Sequence, residues 1–251
     1  MAVTSTVDKG IAEVVMNRPP VNALDAAGWF AIAKTLGALT SDPAVRVVIL
    51  VADGRGFNAG VDIKALQQGG KPALIEVNRA CAAAFAAVYD CAVPVIAAVH
   101  GYCLGGGIGL CGNADLIVAS SDATFGLPEV DRGALGAATH LARLVPEKRM
   151  RQMVYTSATA TAAELHHYGS IYKVVAPQEL RKVAHEVAAE IAAKSPTVIR
   201  AAKQSLNGID PVDVKRSYRY EQGFTFELSL SGVADEARAA FVDKRDPTFT
   251  K

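Results

Sequence analysis

The stretch Gly-Arg-Gly-Phe-Asn-Ala-Gly-Val-Asp-Ile-Lys at 54–64, read together with Leu-Gly-Gly-Gly-Ile-Gly at 104–109, decides how this chain folds. Each stretch predicts a glycine-permitted turn that runs into the start of a helix. Glycine allows a positive φ and a close approach of the backbone to a ligand, and a helix start offers unpaired N–H groups at the positive end of the helix dipole. Two such turns that converge on one point would give two backbone donors for an oxygen that gains negative charge, which is an oxyanion hole.

The composition is that of a soluble globular protein, with 51% hydrophobic and 20% charged residues in a chain of 251. Lys plus Arg number 26 and Asp plus Glu number 25, so the net charge is +1. This balance gives no electrostatic footprint for nucleic acid or for an anionic membrane, and we expect neither as a partner. The start of the chain has no apolar leader, and no apolar run approaches the length of a membrane span.

The cysteines predict buried free thiols rather than disulfides or a metal site. None belongs to a CxxC pair, and each has apolar neighbours. The four positions are Cys81, Cys91, Cys103 and Cys111. We therefore expect no metal and, by default, a cytoplasmic location.

The pattern of apolar residues changes along the chain. Strands are predicted at 11–16, 46–52, 94–99, 116–119, 124–126 and 171–175. Helices are predicted from Asp25, as N-cap, to about Leu39 and at 71–89, 106–113, 138–144, 147–157, 161–168, 177–194, 197–207, 211–229 and 233–243. Strands alternate with helices in the first half and helices dominate after about 137, so the fold class is α/β with a helical C-terminal region.

One motif is misleading. Residues 107–112 match the dinucleotide fingerprint GxGxxG, and Glu129 lies where its acidic partner is expected. That fingerprint needs a strand directly before it and a long helix after it. Here Gly101 already ends the strand, and Asn113 and Asp115 end the helix after about two turns. A Rossmann nucleotide site is rejected on this context.

Three motifs in order resemble the crotonase superfamily, the enoyl-CoA hydratase and isomerase group. They are Phe-Asn-Ala-Gly-Val-Asp-Ile-Lys at 57–64, Pro-Val-Ile-Ala-Ala-Val-His-Gly-Tyr-Cys-Leu-Gly-Gly-Gly at 94–107, and Phe-Gly-Leu-Pro-Glu at 125–129. The resemblance runs from about residue 10 to 249, and the ending at 240–249 is similar to the close of that family.

The resemblance implies a spiral of ββα turns followed by a helical trimerisation region. We assign the spiral core that binds the acyl-CoA to 1–190 and the oligomerisation region to 191–251. The resemblance also implies a homotrimer or a dimer of trimers. The ligand implied is a coenzyme A thioester, in which coenzyme A is part of the substrate, so no separate cofactor is expected.

The resemblance places the two oxyanion-hole N–H groups on Val61 and Gly106. The alternative explanation is that the glycines of the two turns, at 54–64 and 104–109, only form tight turns and bind no ligand. The residues that the resemblance assigns to substrate and coenzyme A binding are Ala23, Ala59, Val61, Asp62, Ile63, Gly105, Gly106, Gly109, Pro128 and His140.

Hydratases of this family use two glutamates, and this chain has one of them. The second family position holds Glu129, whereas the first holds Gly109. Adding water across a double bond needs both a base and an acid, so simple hydratase activity is in doubt. The glycine leaves room for a bulkier acyl group, a water or a small anion. The apolar neighbours Phe125, Leu127 and Val130 are expected to raise the pKa of Glu129.

Asp131 lies two residues beyond Glu129. In an extended segment both carboxylates would point into the pocket, and their proximity would raise one pKa. Either of them would then activate a water. The alternative is that Asp131 pairs with Arg132 or Arg143 at the surface.

The remaining candidates each have a structural alternative. His140 faces the acyl pocket or is structural, and a structural role is favoured for His100, His166 and His167. Arg18, Arg55 and Lys64 contact coenzyme A phosphates or are ordinary solvated charges. Packing or subunit contacts are favoured over ligand contacts for Tyr218, Tyr220, Phe224 and Phe226.

Three stretches, 56–64, 126–141 and 218–228, resemble one branch of the family, the actinobacterial ring-opening CoA hydrolases of steroid-ring catabolism. That resemblance implies a retro-Claisen cleavage, in which water adds to a ring ketone and a thioester enolate leaves into the oxyanion hole. An enoyl-CoA hydratase or double-bond isomerase is the alternative. A CoA-thioester binder without catalysis is the third possibility.

Overall fold

The computed structural model describes residues 2–248. Phe249, the last residue of the family-like stretch 240–249, lies outside the described residues, as do 250 and 251. The strands are β1 (Val3–Asp8), β2 (Ile11–Met16), β3 (Val47–Ala52), β4 (Val95–Val99), β5 (Tyr102–Leu104), β6 (Leu116–Ser120), β7 (Thr124–Gly126), β8 (Thr159–Thr161) and β9 (Lys173–Val175).

The helices alternate with these strands and then follow one another. They are α1 (Ala26–Ser41), α2 (Ile63–Tyr89), α3 (Gly106–Cys111), α4 (Ala138–Leu141), α5 (Glu147–Thr156), α6 (Ala162–His167), α7 (Leu180–Ala192), α8 (Pro196–Gly208), α9 (Val214–Leu230) and α10 (Val233–Asp243). Short 3₁₀ turns lie at Val130–Arg132 and Pro177–Glu179.

Two sheets form the core. The larger has the order β1-β2-β3-β4-β6-β9, with β1 antiparallel to β2 and the other neighbours parallel. The smaller has the order β5-β7-β8. From β4 onward the chain alternates between the two sheets, so that β4 leads directly into β5 and α3, β6 leads into β7, and β8 precedes β9.

The apolar run of β3 is explained by burial on both faces of the large sheet. Val48 and Leu50 pack into the main core, whereas Val47, Ile49 and Val51 pack into a second core that contains residues of α7. A strand covered on both sides needs no polar alternation, which is why it was recognisable as a buried parallel strand. The predicted α/β class with C-terminal helices is confirmed.

Some predicted boundaries are wrong. The sequence gives no sign of β1, because all of its residues except Val3 are exposed and their polar side chains carry no core pattern. The helix predicted from Lys71 begins at Ile63, where the Asp62 side chain caps it, and it kinks at Gly70, whose φ is +60°.

The cysteine prediction is confirmed, since all four thiols are free and buried. Within 2–248 no helix is both long and apolar enough to cross a membrane. The boundary at 190/191 stays a prediction.

Candidate active site

The two glycine turns meet beside β5. The Asn58 N–H donates to the Tyr102 carbonyl (3.2 Å), and the Leu104 N–H donates to the Asn58 carbonyl (2.9 Å). The first turn therefore runs like an extra strand along β5. Gly60, at a φ of +86°, lies so close that a Cβ there would be 3.2 Å from the Gly106 nitrogen. The approach of the two turns thus requires glycine at 60.

A buried amide network holds the first turn in shape. The Asn58 Oδ1 accepts from the Gly60 N–H (2.8 Å), and its Nδ2 donates to the Asn22 carbonyl (2.6 Å). The Asn22 Nδ2 in turn donates to the Gly56 carbonyl (2.9 Å). Because both asparagines are buried, these bonds fix the direction of the backbone that follows.

The N–H groups of Val61 and Gly106 are free within residues 2–248, since neither has an acceptor there. Their neighbours are used: the Leu24 N–H donates to the Gly60 carbonyl and the Asp62 N–H donates to the Leu24 carbonyl, both at 2.9 Å. Gly106 is the first residue of α3, and Trp29 lies against its Cα. Two free donors on adjoining turns have the makings of an oxyanion hole.

Glu129 lies against this pair. Strand β7 runs parallel to β5, with Gly126 opposite Leu104, so the residues that follow the two strands emerge at the same edge. A Cβ on Gly105 would be 2.5 Å from the Glu129 Oε1. Gly105 also has a φ of +56°, so both conformation and space restrict this position to glycine.

The Glu129 carboxyl is shielded although the residue as a whole is only half-buried. Its Oε2 is buried and has no partner in the described part of the chain. Burial raises the pKa of Glu129 to about 8; Arg132 opposes this shift and the Glu221 charge adds to it. The shift has the direction that the buried neighbours Phe125 and Leu127 predict.

A cleft of about 850 Å³, counted to its open mouth, contains these groups. Its floor includes the free N–H turns and Glu129, and α2 and the 134–137 loop supply walls. The lining residues are Ala59, Gly60, Val61, Ile63, Leu66, Leu74, Val77, Asn78, Cys81, Phe85, Gly105, Gly106, Pro128, Glu129, Arg132, Ala134, Leu135, Gly136, Ala137, Tyr218, Thr225 and Arg238. The predicted residues Ala59, Val61, Ile63, Gly105, Gly106, Pro128 and Glu129 are thus brought together.

The prediction of free space at Gly109 is wrong. The Phe85 ring fills that space, and a Cβ on Gly109 would be 2.5 Å from the Phe85 Cε1. Gly109 therefore does not form an extension of the acyl pocket. The glycine instead allows an aromatic ring from α2 to pack against α3 and to line the cleft.

The prediction that Asp131 shares a face with Glu129 is also wrong. The chain turns into a 3₁₀ helix at Val130–Arg132, because Glu129 itself has helical dihedrals (φ −63°, ψ −37°). Residues two apart on a helical turn do not share a face. Asp131 is exposed and does not line the cleft. The second carboxylate that acts on Glu129 is Glu221.

His140 does not face the acyl cleft. It is buried in a neighbouring cavity of about 500 Å³, and Phe85 and Tyr218 line both spaces. Its Nδ1 lies 3.1 Å from the Asn113 Oδ1. That amide oxygen is fixed as an acceptor because the Asn113 Nδ2 donates to the Phe85 carbonyl, so the Nδ1 carries the proton. Burial lowers the pKa of His140 to about 3, which keeps the ring neutral.

Two predicted coenzyme A contacts lie beside the cleft. Asp62 caps α2 through the Lys64 and Ala65 N–H groups (both 3.1 Å), and with Val61 it lines an adjoining hollow. Ala23 is half-buried next to the bridge between Leu24 and Val61.

Two other histidines bond to backbone. His100 contacts the Gly54 carbonyl (3.0 Å) and His166 the Ile171 carbonyl (2.8 Å).

The C-terminal helices contribute to the cleft, although the sequence favours packing or subunit contacts for Tyr218 and does not indicate Thr225, Arg238 or Glu221. Tyr218 and Thr225 of α9 and Arg238 of α10 line the cleft. The Glu221 carboxylate accepts from the Ala138 N–H (2.8 Å) and holds the loop that forms one wall. Buried polar residues at helical spacing on α9 were a usable signal, but no local motif identifies what they cover.

The arrangement supports a specific chemistry. A carbonyl oxygen placed at the Val61 and Gly106 N–H groups would be polarised and could gain negative charge there. A single carboxyl with a pKa near 8 can both take and return a proton near neutral pH.

Comparison with known proteins identifies the family to which a site of this kind belongs. The Enoyl-CoA hydratase/isomerase family profile matches residues 6–251. The chain is 61% identical over 249 residues to the (7aS)-7a-methyl-1,5-dioxo-2,3,5,6,7,7a-hexahydro-1H-indene-carboxyl-CoA hydrolase of Rhodococcus jostii, covering 98% of this chain and 96% of that one. It is 60% identical to the protein of the same name from Mycobacterium tuberculosis, covering 97% and 100% of the two chains.

A solved structure, the carnitinyl-CoA hydratase from Mycobacterium avium, superposes with a TM-score of 0.88 at 29% identity over 99% of this chain and 98% of that one. The resemblance seen in the three motifs is confirmed, and the chain belongs to the enoyl-CoA hydratase/isomerase family.

Proposed function

We propose that this protein opens a ring of a bicyclic β-keto acyl-CoA by adding water across a C–C bond, in the breakdown of steroid rings. The observation that carries the proposal is the single buried carboxyl of Glu129 beside two free N–H groups, with Phe85 where hydratases of the family have a second carboxylate. The names of the 60–61% identical relatives support it, because each is a hydrolase of a dioxo-indene-carboxyl-CoA.

In the proposed step, Glu129 removes a proton from water as the oxygen adds to the ring ketone at C1. The bond between C1 and the methyl-bearing C7a then breaks. Its electron pair passes through the remaining ring double bond to the thioester oxygen, which becomes an enolate held by the Val61 and Gly106 N–H groups. The proton on Glu129 returns to carbon, and C1 leaves the ring as a carboxylic acid. One water is consumed and the thioester stays intact.

The cleft walls provide for the acyl part. Leu74, Val77 and Phe85 are apolar, which suits a fused carbocycle. We propose that Ala59, Ile63, Gly105 and Pro128 contact the thioester and its neighbouring atoms, while Ala23 and Asp62, beside the adjoining hollow, contact the coenzyme A moiety.

A double-bond isomerase is the second candidate, because moving a proton between two carbons needs only one carboxylate. The deciding experiment supplies the dioxo-indene-carboxyl-CoA in ¹⁸O-water and follows the product by mass spectrometry. Ring opening adds one water, places one ¹⁸O in a new carboxyl group that can be esterified, and releases no free thiol. Isomerisation leaves the mass unchanged. Hydration adds a water without a new carboxyl, and thioester hydrolysis releases coenzyme A.

We also propose a homotrimer or a dimer of trimers. Large apolar side chains are exposed on the C-terminal helices, among them Leu206, Ile209 and Leu230, at 61–74% exposure. Such residues are typical of subunit contacts when they lie together. Light scattering should give three or six times the mass of the chain at micromolar concentration, and a stable monomer would contradict the proposal.

A further inference from the structure

A buried amide on helix α2 has a donor with no acceptor. Asn78 lines the cleft between Val77 and Cys81 of the same helix, and its Nδ2 is buried without a partner among residues 2–248. Buried polar groups are nearly always paired, since an unmet donor costs the full loss of its hydration. An unmet donor on a residue that lines a cleft is therefore a candidate partner for a ligand acceptor.

The orientation of this amide is set by a chain of donors from α9. The Arg219 guanidinium donates to the Gln222 Oε1 (2.6 Å). The Gln222 Nε2 therefore faces α2, where it donates to the Asn78 carbonyl (2.8 Å) and lies 3.4 Å from the Asn78 Oδ1. Because the oxygen edge of the Asn78 amide is turned toward Gln222, the opposite edge carries the Nδ2.

Three other polar side chains at the cleft donate to acceptors within the protein. The Thr225 hydroxyl donates to the Leu135 carbonyl, the Arg132 Nη1 to the Pro128 carbonyl and the Arg238 Nη2 to Asp235. The Asn78 amide, by contrast, is an oriented donor that no acceptor among the described residues uses.

The proposed reaction needs such a donor. Water addition to a ring ketone first places negative charge on the ketone oxygen, and only afterwards does charge reach the thioester oxygen. The Val61 and Gly106 N–H groups serve the thioester and cannot serve both oxygens. We propose that the Asn78 Nδ2 donates to the ring ketone oxygen that water attacks, so that Asn78 selects thioesters with a ring carbonyl and stabilises the first oxyanion. This inference rests on the proposed function.

The test uses Asn78→Leu and Asn78→Asp. Leucine removes the amide at similar volume, and aspartate keeps the shape but has no N–H to donate. The control is Arg79→Leu, which alters the next residue of the same helix, an exposed one. With the dioxo-indene-carboxyl-CoA as substrate, kcat/KM should fall about 10²–10³-fold in both Asn78 variants, as for loss of one oxyanion donor, and stay unchanged in Arg79→Leu. Binding of a cyclohexene-carboxyl-CoA, which has no ring ketone, should be equal in all four proteins.

A spectroscopic measurement separates this role from a structural one. In Glu129→Gln protein, which should hold the substrate unreacted, the infrared band of a ¹³C-labelled ring ketone should move to lower frequency on binding. Adding Asn78→Leu should move it back toward its solution position. An unshifted band in Glu129→Gln protein, or a shift that persists without Asn78, overturns the inference, as does wild-type kcat/KM in Asn78→Leu. If the wild-type protein itself opens no ring, the proposed function fails instead.

Discussion

The Phe85 ring occupies the place that a side chain at Gly109 would need, since a Cβ there would be 2.5 Å from the Phe85 Cε1. Phe85 also packs edge-on against Trp29 (ring centroids 5.6 Å apart) and His140 (5.1 Å). The ring cannot move aside without disturbing these contacts. The missing second carboxylate is therefore matched by a change in packing, which a single Gly109→Glu substitution would not reverse.

We predict that Gly109→Ala lowers the free energy of unfolding by about 1–3 kcal/mol, the usual cost of overpacking a core. The matched control is Gly37→Ala in the exposed face of α1, where a Cβ meets nothing within 4 Å. That control should be more stable than wild type by about 0.5–1 kcal/mol, because alanine replaces a helical glycine. Urea denaturation measures both, and a Gly109→Ala protein as stable as wild type would show that Phe85 relaxes freely.

How much of this site the sequence predicts depends on the range of the interactions. The turns that carry Val61 and Gly106 follow from glycine spacing, and Glu129 follows from a short motif beside them. Each is local, whereas strand β5 and its parallel pairing with β7, which brings them together, are not predicted from the sequence. The buried strand β3 is likewise visible as an apolar run.

The failures involve local geometry or distant contacts. An extended chain after Pro128 would put Asp131 on the same face as Glu129, whereas Glu129 takes helical dihedrals and begins a 3₁₀ turn. Phe85 of α2 packs against Gly109 of α3. Glu221 of α9 accepts hydrogen bonds from the backbone at 138–139. No spacing in the sequence reports such contacts, because they depend on how the helices pack.

We predict that Glu129→Gln lowers turnover about 10²–10⁴-fold, the usual contribution of general acid–base catalysis, with thioester binding largely kept. Asp131→Asn is the matched control and should remain near wild type, because Asp131 is exposed on the 3₁₀ turn. Steady-state kinetics and a binding titration with the same thioester measure both. An inactive Asp131→Asn protein beside an active Glu129→Gln protein would mean that the base is wrongly assigned.

The raised pKa of Glu129 also predicts how stability depends on pH. The folded protein holds this proton up to about pH 8, whereas the unfolded chain loses it near the ordinary value of 4.5. Between these values unfolding releases a proton, so stability falls as pH rises through the window and levels off above it. The Glu129→Gln variant has no carboxyl to titrate, so its stability does not fall with pH for this reason. The difference in unfolding free energy between Glu129→Gln and wild type should therefore grow from about pH 5 to about pH 8, as measured by urea titrations, and a constant difference would contradict the shift.

The pH dependence of activity should also report the pKa of Glu129, and a Glu221 variant tests whether Glu221 raises that pKa. A base must be ionised to act, so kcat/KM should rise with pH along a limb set by the pKa of Glu129, about 8. The Glu221 charge raises that pKa, so Glu221→Gln should move the limb to lower pH. Because the Glu221 carboxylate also holds the Ala138 and Thr139 N–H groups, the variant should unfold more easily as well. If Glu221 acts only by holding these two N–H groups, its loss would lower kcat/KM without moving the pH limb. Glu227→Gln, an exposed change on the same helix, should leave both limb and stability unchanged. A limb that stays in place in Glu221→Gln would show that burial and Arg132 alone set the proton affinity of Glu129.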